Sequence, residues 1–129
     1  MDNIDEVFPV VNSGVIPFGS RVVVQVRRPE RKTRSGIILI EETREATTLN
    51  TQIAKVVAIG ALSFRNRTDL TPWPEGNWCD VGDFVRIPQF GGSRFMRKFD
   101  GDDIMFVIFN DLDIIGKVTD DPATIVTYI

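Results

Sequence analysis

The chain has 129 residues, of which 43% are hydrophobic and 26% charged, and a net charge of −3, a balance typical of one ordinary globular domain. It contains no histidine and a single cysteine, Cys79, which argues against a zinc site, an internal disulfide framework and histidine-based acid–base catalysis. The negative charge argues against general nucleic-acid binding. Because Met1–Glu6 is acidic and no apolar stretch has the length of a membrane span, we expect a cytoplasmic protein.

The first third of the chain predicts two strands separated by a long polar segment. Residues 1–14 are an acidic lead with a few apolar side chains, typical of a flexible arm or an edge strand. After a turn at residues 15–20, Arg21–Arg27 is predicted as a strand with alternate valines on one face. Ile53–Gly60, mostly β-branched, is predicted as the next strand. Residues 28–51 between them are predicted to form a loop.

Inside this polar loop stand four consecutive aliphatic residues in the stretch Ser35-Gly36-Ile37-Ile38-Leu39-Ile40. We call these six residues the hook. Loops of this length are usually functional or disordered, and an exposed apolar run indicates a partner. A short buried strand between two ordinary loops is the alternative.

The energetics of the hook predict a multivalent protein. Burial of three aliphatic side chains is worth roughly 5 to 9 kcal/mol. Ordering five or six flexible residues, at about 1 to 2 kcal/mol each, consumes most of that gain. One copy would therefore bind weakly, and useful affinity requires several copies on one rigid ring.

Residues 61–80 form an irregular excursion whose prolines, glycine and tryptophans are typical of a hairpin. We expect Trp73 and Trp78 to cover a small satellite core, and an exposed binding patch is the alternative. Beyond the excursion, the sequence predicts four more strands: Phe84–Pro88, Ser93–Phe99, Ile104–Phe109 and Ile114–Val118.

The turns and tail complete an all-β pattern. Asp100-Gly101 predicts a tight hairpin turn, and the neighbouring carboxylates lack the ligand spacing of a calcium loop. No long helical periodicity is present, so we expect a β-barrel or sandwich. Residues 124–129 and 7–11 are candidates for covering an open sheet edge on a neighbouring subunit.

In their order and near-matching spacing, these pieces resemble the chaperonin-10 family, the GroES-type co-chaperonins. The resemblance spans about residues 17–118, and its matching pieces are Pro17, Arg21–Val24, Ser35–Leu39, Val56–Gly60, Val81–Val85, Lys98–Asp100, Ile104–Val107 and Asp113–Ile115.

The resemblance implies a Greek-key β-barrel over residues 15–118, with a mobile loop at about 28–51 and a roof hairpin at about 61–80 that contains Trp73 and Trp78. It further implies a seven-membered ring that docks onto a chaperonin of the GroEL class and closes a chamber around a client protein. ATP would be hydrolysed by the chaperonin, so we expect no catalytic residues, no cofactor and no metal in this chain.

Carried over by position, the hook is the chaperonin-binding site. Gly36 would give the turn, and Ile37, Ile38 and Leu39 would enter the chaperonin's apolar groove. Ser35 stands where the family usually has the first of two glycines. The arm at 1–14, the tail at 119–129 and the aromatic roof depart from the family pattern, in a way that resembles virus-encoded co-chaperonins.

Two other functional classes stay open. A viral structural or assembly subunit without a chaperonin partner would look the same outside the hook. A barrel that binds single-stranded nucleic acid would interleave rings with basic groups, as do Phe90, Arg94, Phe95, Arg97, Lys98 and Phe99. Strand alternation, however, predicts that these aromatic rings point to the core and the charges to solvent.

Overall fold

The computed structural model describes residues 7–28, 52–88 and 91–122. Within these ranges, six strands form one sheet, and a single 3-10 turn, Asp111–Asp113, follows the fifth strand. The strands are β1 (Arg21–Val26), β2 (Ile53–Ile59), β3 (Phe84–Arg86), β4 (Ser93–Phe99), β5 (Asp102–Asn110) and β6 (Gly116–Lys117).

The strand order in space is β4-β5-β1-β2-β3-β6, and every neighbouring pair is antiparallel. Because β5 returns to lie beside β1 while β1, β2 and β3 are consecutive, the central four strands have the Greek-key arrangement. The predicted all-β fold is confirmed. Within the described ranges the ladder ends at β4 on one side and at β6 on the other, so strand pairing does not close the predicted barrel.

The predicted strands are all present, with differences at their ends. β4 has the predicted bounds, and β1 and β2 each end one residue earlier than expected. The strand expected over Ile114–Val118 is reduced to β6, because the Ile114 amide instead donates to the Asp111 carbonyl within the 3-10 turn. The Asp100-Gly101 hairpin turn is confirmed, and both residues have the positive φ that such two-residue turns require.

Both faces of the central strand β1 are covered. The predicted alternation places Val22, Val24 and Val26 in the main core, together with residues of β2, β3 and β5. Val23 on the opposite face is equally buried, against Ile104 and Phe106 of β5, and the segment before β1 packs over this second cluster. A strand buried on both faces explains why four of the six residues of β1 are valines.

Candidate functional site

The predicted chaperonin-binding residues, Ser35, Gly36, Ile37, Ile38 and Leu39, lie outside the described residues. The structure describes the two chain ends that flank their segment. β1 leads into it through Arg27 and Arg28, and Gln52 leads from it into β2.

The two chain ends lie side by side at one end of the sheet, which we call the loop base. Val26 pairs with Ala54, and the Arg27 amide donates to the Ile53 carbonyl at 2.9 Å. The Gln52 carbonyl accepts from the amide of Ile87, also at 2.9 Å, which ties the returning chain to the residue after β3. The two chain ends that flank residues 29–51 are therefore adjacent and joined by a hydrogen bond.

The N-terminal segment packs against the loop base. Val7 and Phe8 are buried in a cluster with Ile53 at the start of β2, and Phe84 and Val118 complete it. The rings of Phe8 and Phe84 are 5.0 Å apart. Residues 7–9 are thus packed into the fold and are neither the flexible arm nor the edge strand that the acidic composition predicted, because their apolar side chains fill a space beside β2 and β3.

Two arginines at the loop base make long-range contacts. The Arg27 side chain is buried, and its Nη1 donates to the Pro122 carbonyl at 2.6 Å. Arg28 Nη1 lies 3.2 Å from Asp102 Oδ2 at the start of β5, in a largely buried ion pair. The sequence did not single out these arginines, because it could not show that they find partners from distant parts of the chain.

The excursion after β2 contains the expected hairpin. Arg65 and Pro72 form an isolated bridge, the Trp73 amide donates to the Phe64 carbonyl at 3.0 Å, and the Asn66 amide donates to the Thr71 carbonyl at 2.8 Å. This hairpin lies at the opposite end of β1 from the loop base, since the Leu62 amide donates to the carbonyl of Gly19, two residues before β1 begins.

Trp73 and Trp78 are packing residues, as predicted. Their rings are 4.8 Å apart, and they lie 5.5 and 6.2 Å from the ring of Phe64, which is fully buried. The core that they cover is the main one and not the separate satellite core that was expected, because Phe64 extends into the cluster formed by β1, β2 and β5.

A buried carboxylate that the sequence did not single out joins the hairpin to β5. Asp111 is fully buried, and its two oxygens accept from the Phe64 amide at 2.8 Å and from Arg67 Nη2 at 2.6 Å. In the sequence Asp111 stands in an Asn-Asp-Leu-Asp turn, where carboxylates are usually solvated, so no local signal distinguished it from Asp113.

The single cysteine of the chain, Cys79, is buried beside the same core. Burial, reinforced by the nearby carboxylates of Asp83 and Asp80, raises the pKa of the Cys79 thiol to about 11. The thiol is therefore protonated near neutral pH and has none of the thiolate character that cysteine nucleophiles need.

An open cleft of about 430 Å³ lies between the excursion and β6. It is lined by Glu75, Asn77, Trp78 and residues 114–117. Within the described ranges, no group of three or more His, Cys, Asp or Glu side chains is placed to hold a metal ion. Across those same ranges, none of the helical segments has the length and apolar character needed to cross a membrane.

The geometry of β4 weakens the nucleic-acid hypothesis. Phe95 is half-buried and stacks on Phe106 of β5, with 5.4 Å between the ring centroids, and Phe99 packs against the same cluster. Arg94 and Lys98 are exposed. The rings therefore face the protein interior and are not available as a base-stacking platform.

Comparison with known proteins matches the described fold to one family. The family model described as "Chaperonin 10 Kd subunit" matches residues 14–118. This span contains the whole sheet and the excursion, and it leaves out residues 7–13 and 119–122 of the structure.

Similar proteins come from several lineages. A mitochondrial 10 kDa heat shock protein of Saccharomyces cerevisiae is 36% identical over 108 residues, which cover 83% of this chain and 91% of the relative. The co-chaperonin GroES of Tetragenococcus halophilus is 34% identical over 102 residues, covering 79% and 96%. The human mitochondrial 10 kDa heat shock protein is 31% identical over 105 residues, covering 81% and 91%.

Proposed function

The chain belongs to the chaperonin 10 kDa family, and from this membership we propose that it is a co-chaperonin that caps a GroEL-class chaperonin and closes its folding chamber. The match of the family model over residues 14–118 carries this proposal. In this role the protein is not an enzyme and needs no cofactor, since the chaperonin hydrolyses ATP and this chain supplies the lid.

The residues proposed to contact the chaperonin are those of the hook. Gly36 provides the turn, and Ile37, Ile38 and Leu39 bury their side chains in an apolar groove, with Ser35 beside them. Twenty-three residues, 29–51, connect the two ends of the loop base. At ~3.3–3.6 Å per extended residue, a segment that leaves and returns could reach roughly 40 Å from the sheet.

The proposed assembly is a ring of seven copies. Each hook gains little free energy once the cost of ordering its residues is subtracted. When one hook is bound, however, the others act at a high effective concentration, so weak contacts add up to a stable lid. The enclosed client would fold in the chamber, which we place in the cytoplasm.

The segments outside the family match suggest a hypothesis on origin. Residues 1–13 and 119–129 lie beyond the matched span, and the roof hairpin contains two tryptophans. We propose that these additions adapt the ring to a particular client, as would suit a virus-encoded co-chaperonin.

The test is a charged substitution in the hook. Ile38→Asp places a carboxylate where the proposal buries an aliphatic side chain, and an unpaired buried charge is strongly unfavourable. We expect co-sedimentation with a GroEL-class chaperonin in ADP to fall at least 100-fold in affinity, while native mass spectrometry still shows the ring. Thr47→Asp adds the same charge to the same segment outside the hook and should bind as the parent does.

Two outcomes would contradict the proposal. If Ile38→Asp inhibits the chaperonin ATPase as the parent does, the hook is not the contact. If the parent itself neither co-sediments nor inhibits, the co-chaperonin function fails and a structural or assembly subunit becomes the better hypothesis.

A further inference from the structure

We propose that residues 7–9 and Pro122, which lie outside the family match, form a collar around the loop base that positions the 29–51 segment and strengthens its binding to the chaperonin. The effect on binding rests on the proposed function. The collar itself is a set of contacts that can be tested without a chaperonin.

The N-terminal half of the collar fastens the end of β1. The Arg28 amide, the last described before the segment, donates to the Val7 carbonyl at 3.0 Å. Two residues further along the chain, the Pro9 carbonyl accepts a buried hydrogen bond from Gln25 Nε2 at 2.7 Å. These two carbonyls hold the departing chain against the sheet.

The same residues also fasten the start of β2. Phe8 is 2% exposed and Val7 is 1% exposed, and both pack on Ile53, the first residue of β2. One short stretch of chain therefore contacts both the departing and the returning end of the segment.

The C-terminal half of the collar reaches the same place from the other terminus. Pro122, beyond the family match, accepts from the buried Arg27 side chain at 2.6 Å, and Val118 at the edge of the match packs in the Val7–Phe8 cluster. Two additions at opposite ends of a chain have no sequence reason to meet. Their convergence on Arg27 and Arg28, two consecutive residues next to the segment, points to a role in holding it.

A fixed loop base lowers the cost of binding. Residues that are already ordered lose no further conformational freedom when the hook docks, and the same saving occurs in every copy of the ring. The collar should therefore slow dissociation from the chaperonin. Phe8 acts here as a positioning residue, since it is not expected to touch the chaperonin.

The test compares Phe8→Ala with a matched control. Phe8→Ala removes the ring that fills the collar cluster, and Phe95→Ala removes a ring of the same size from β4, which packs in the separate cluster of Val23, Ile104 and Phe106. In Phe8→Ala we expect hydrogen exchange at the Arg28 amide to become at least tenfold faster and dissociation of the ring from the chaperonin at least tenfold faster. Phe95→Ala should change neither, and Phe8→Leu, which restores apolar volume, should recover most of both.

The outcomes separate the collar from the function. If Phe8→Ala speeds exchange at Arg28 but dissociates at the parental rate, the collar exists without a role in binding and the inference fails. Equal effects of Phe95→Ala and Phe8→Ala would show that Phe8 contributes only to general stability, and this result would also overturn the inference. If the parent does not bind a chaperonin, the proposed function fails, while the exchange comparison still tests the collar. Should Phe8→Ala not fold, Phe8→Val gives the same comparison with a smaller cavity.

Discussion

The two ends of β1 are stabilised in different ways. At the Arg21 end, the roof hairpin is held by the buried carboxylate of Asp111 and by Phe64 beneath two tryptophans, all within the span that the family shares. At the Val26 end, the Gln52–Ile87 hydrogen bond and the Arg28–Asp102 ion pair lie within that span, and Val7, Phe8 and Pro122 add contacts from outside it. The hairpin of the excursion is therefore held by residues of the family match, whereas the loop base of this chain also uses residues beyond that match.

The largest expected difference compares one phenylalanine from each end. Phe64→Ala leaves a cavity in the main core and should lower the free energy of unfolding by about 4 kcal/mol. Phe8→Ala should lower the free energy of unfolding by only about 2 kcal/mol, because residues 7–9 can detach from the sheet and no cavity then forms in the main core. Urea unfolding followed by circular dichroism measures both. Equal losses would show that the two ends form one cooperative unit and would contradict the contrast drawn here.

The next largest effect on stability is expected at the buried carboxylate of Asp111. Asp111→Ala leaves the buried Phe64 amide without its acceptor and should destabilise the protein by about 3 kcal/mol. Arg67→Ala removes a half-exposed partner, whose place beside the carboxylate water can take, and leaves that amide satisfied, so it should cost about 1 kcal/mol. Thermal unfolding of the two variants measures the difference. A larger loss for Arg67→Ala would mean that the ion pair, and not the amide contact, fastens the hairpin.

Alkaline pH should destabilise the roof end through Cys79. The fold raises the pKa of this thiol from 9.0 to about 11, so its contribution to stability is fully present below pH 9 and is lost as pH rises towards 11. The loss should reach at most about 2 kcal/mol. It is measured as the change in unfolding free energy between pH 8 and 11 in the parent minus that in Cys79→Ala. Contributions shared by the two proteins cancel in this difference, and parallel pH profiles would contradict the assignment.

The smallest effect is expected for an exposed ion pair. Lys98 and Asp103 form an ion pair across the β4–β5 hairpin at 2.8 Å, but their side chains are 79% and 53% exposed. Solvent and salt screen such a pair, so Lys98→Ala should change stability by less than about 0.5 kcal/mol. Thermal unfolding at low and at physiological salt checks this baseline. A loss comparable to that of Arg67→Ala would show that exposure is a poor guide to pair strength in this protein.

The strands were predictable because their signals are local. Alternating or continuous apolar runs bounded by Gly, Pro and Asp mark β1, β2, β4 and β5 without knowledge of their partners. The packing role of Trp73 and Trp78 was also predictable from the size and apolar character of the rings. The hook remains a prediction, since residues 35–39 lie outside the described part of the chain.

The burial of Asp111, Gln25 and Arg27 could not be predicted in the same way. Each is a polar residue whose burial depends on a partner 16 to 95 positions away in the chain, and single-sequence patterns contain no information on such pairs. The packing of Val7 and Phe8 within the acidic lead was likewise not predictable, because these two side chains find their place only when β2 and β3 are formed.

The sequence alone determined that this is an all-β protein and where its strands lie, because backbone preference and apolar periodicity act over a few neighbouring residues. It also determined which family the protein resembles. Only the tertiary structure decided that Val7 and Pro122 meet at Arg28 and Arg27 and that Asp111 joins the hairpin of the excursion to the sheet. Those arrangements arise from distant groups that must satisfy one another's hydrogen bonds once water is excluded.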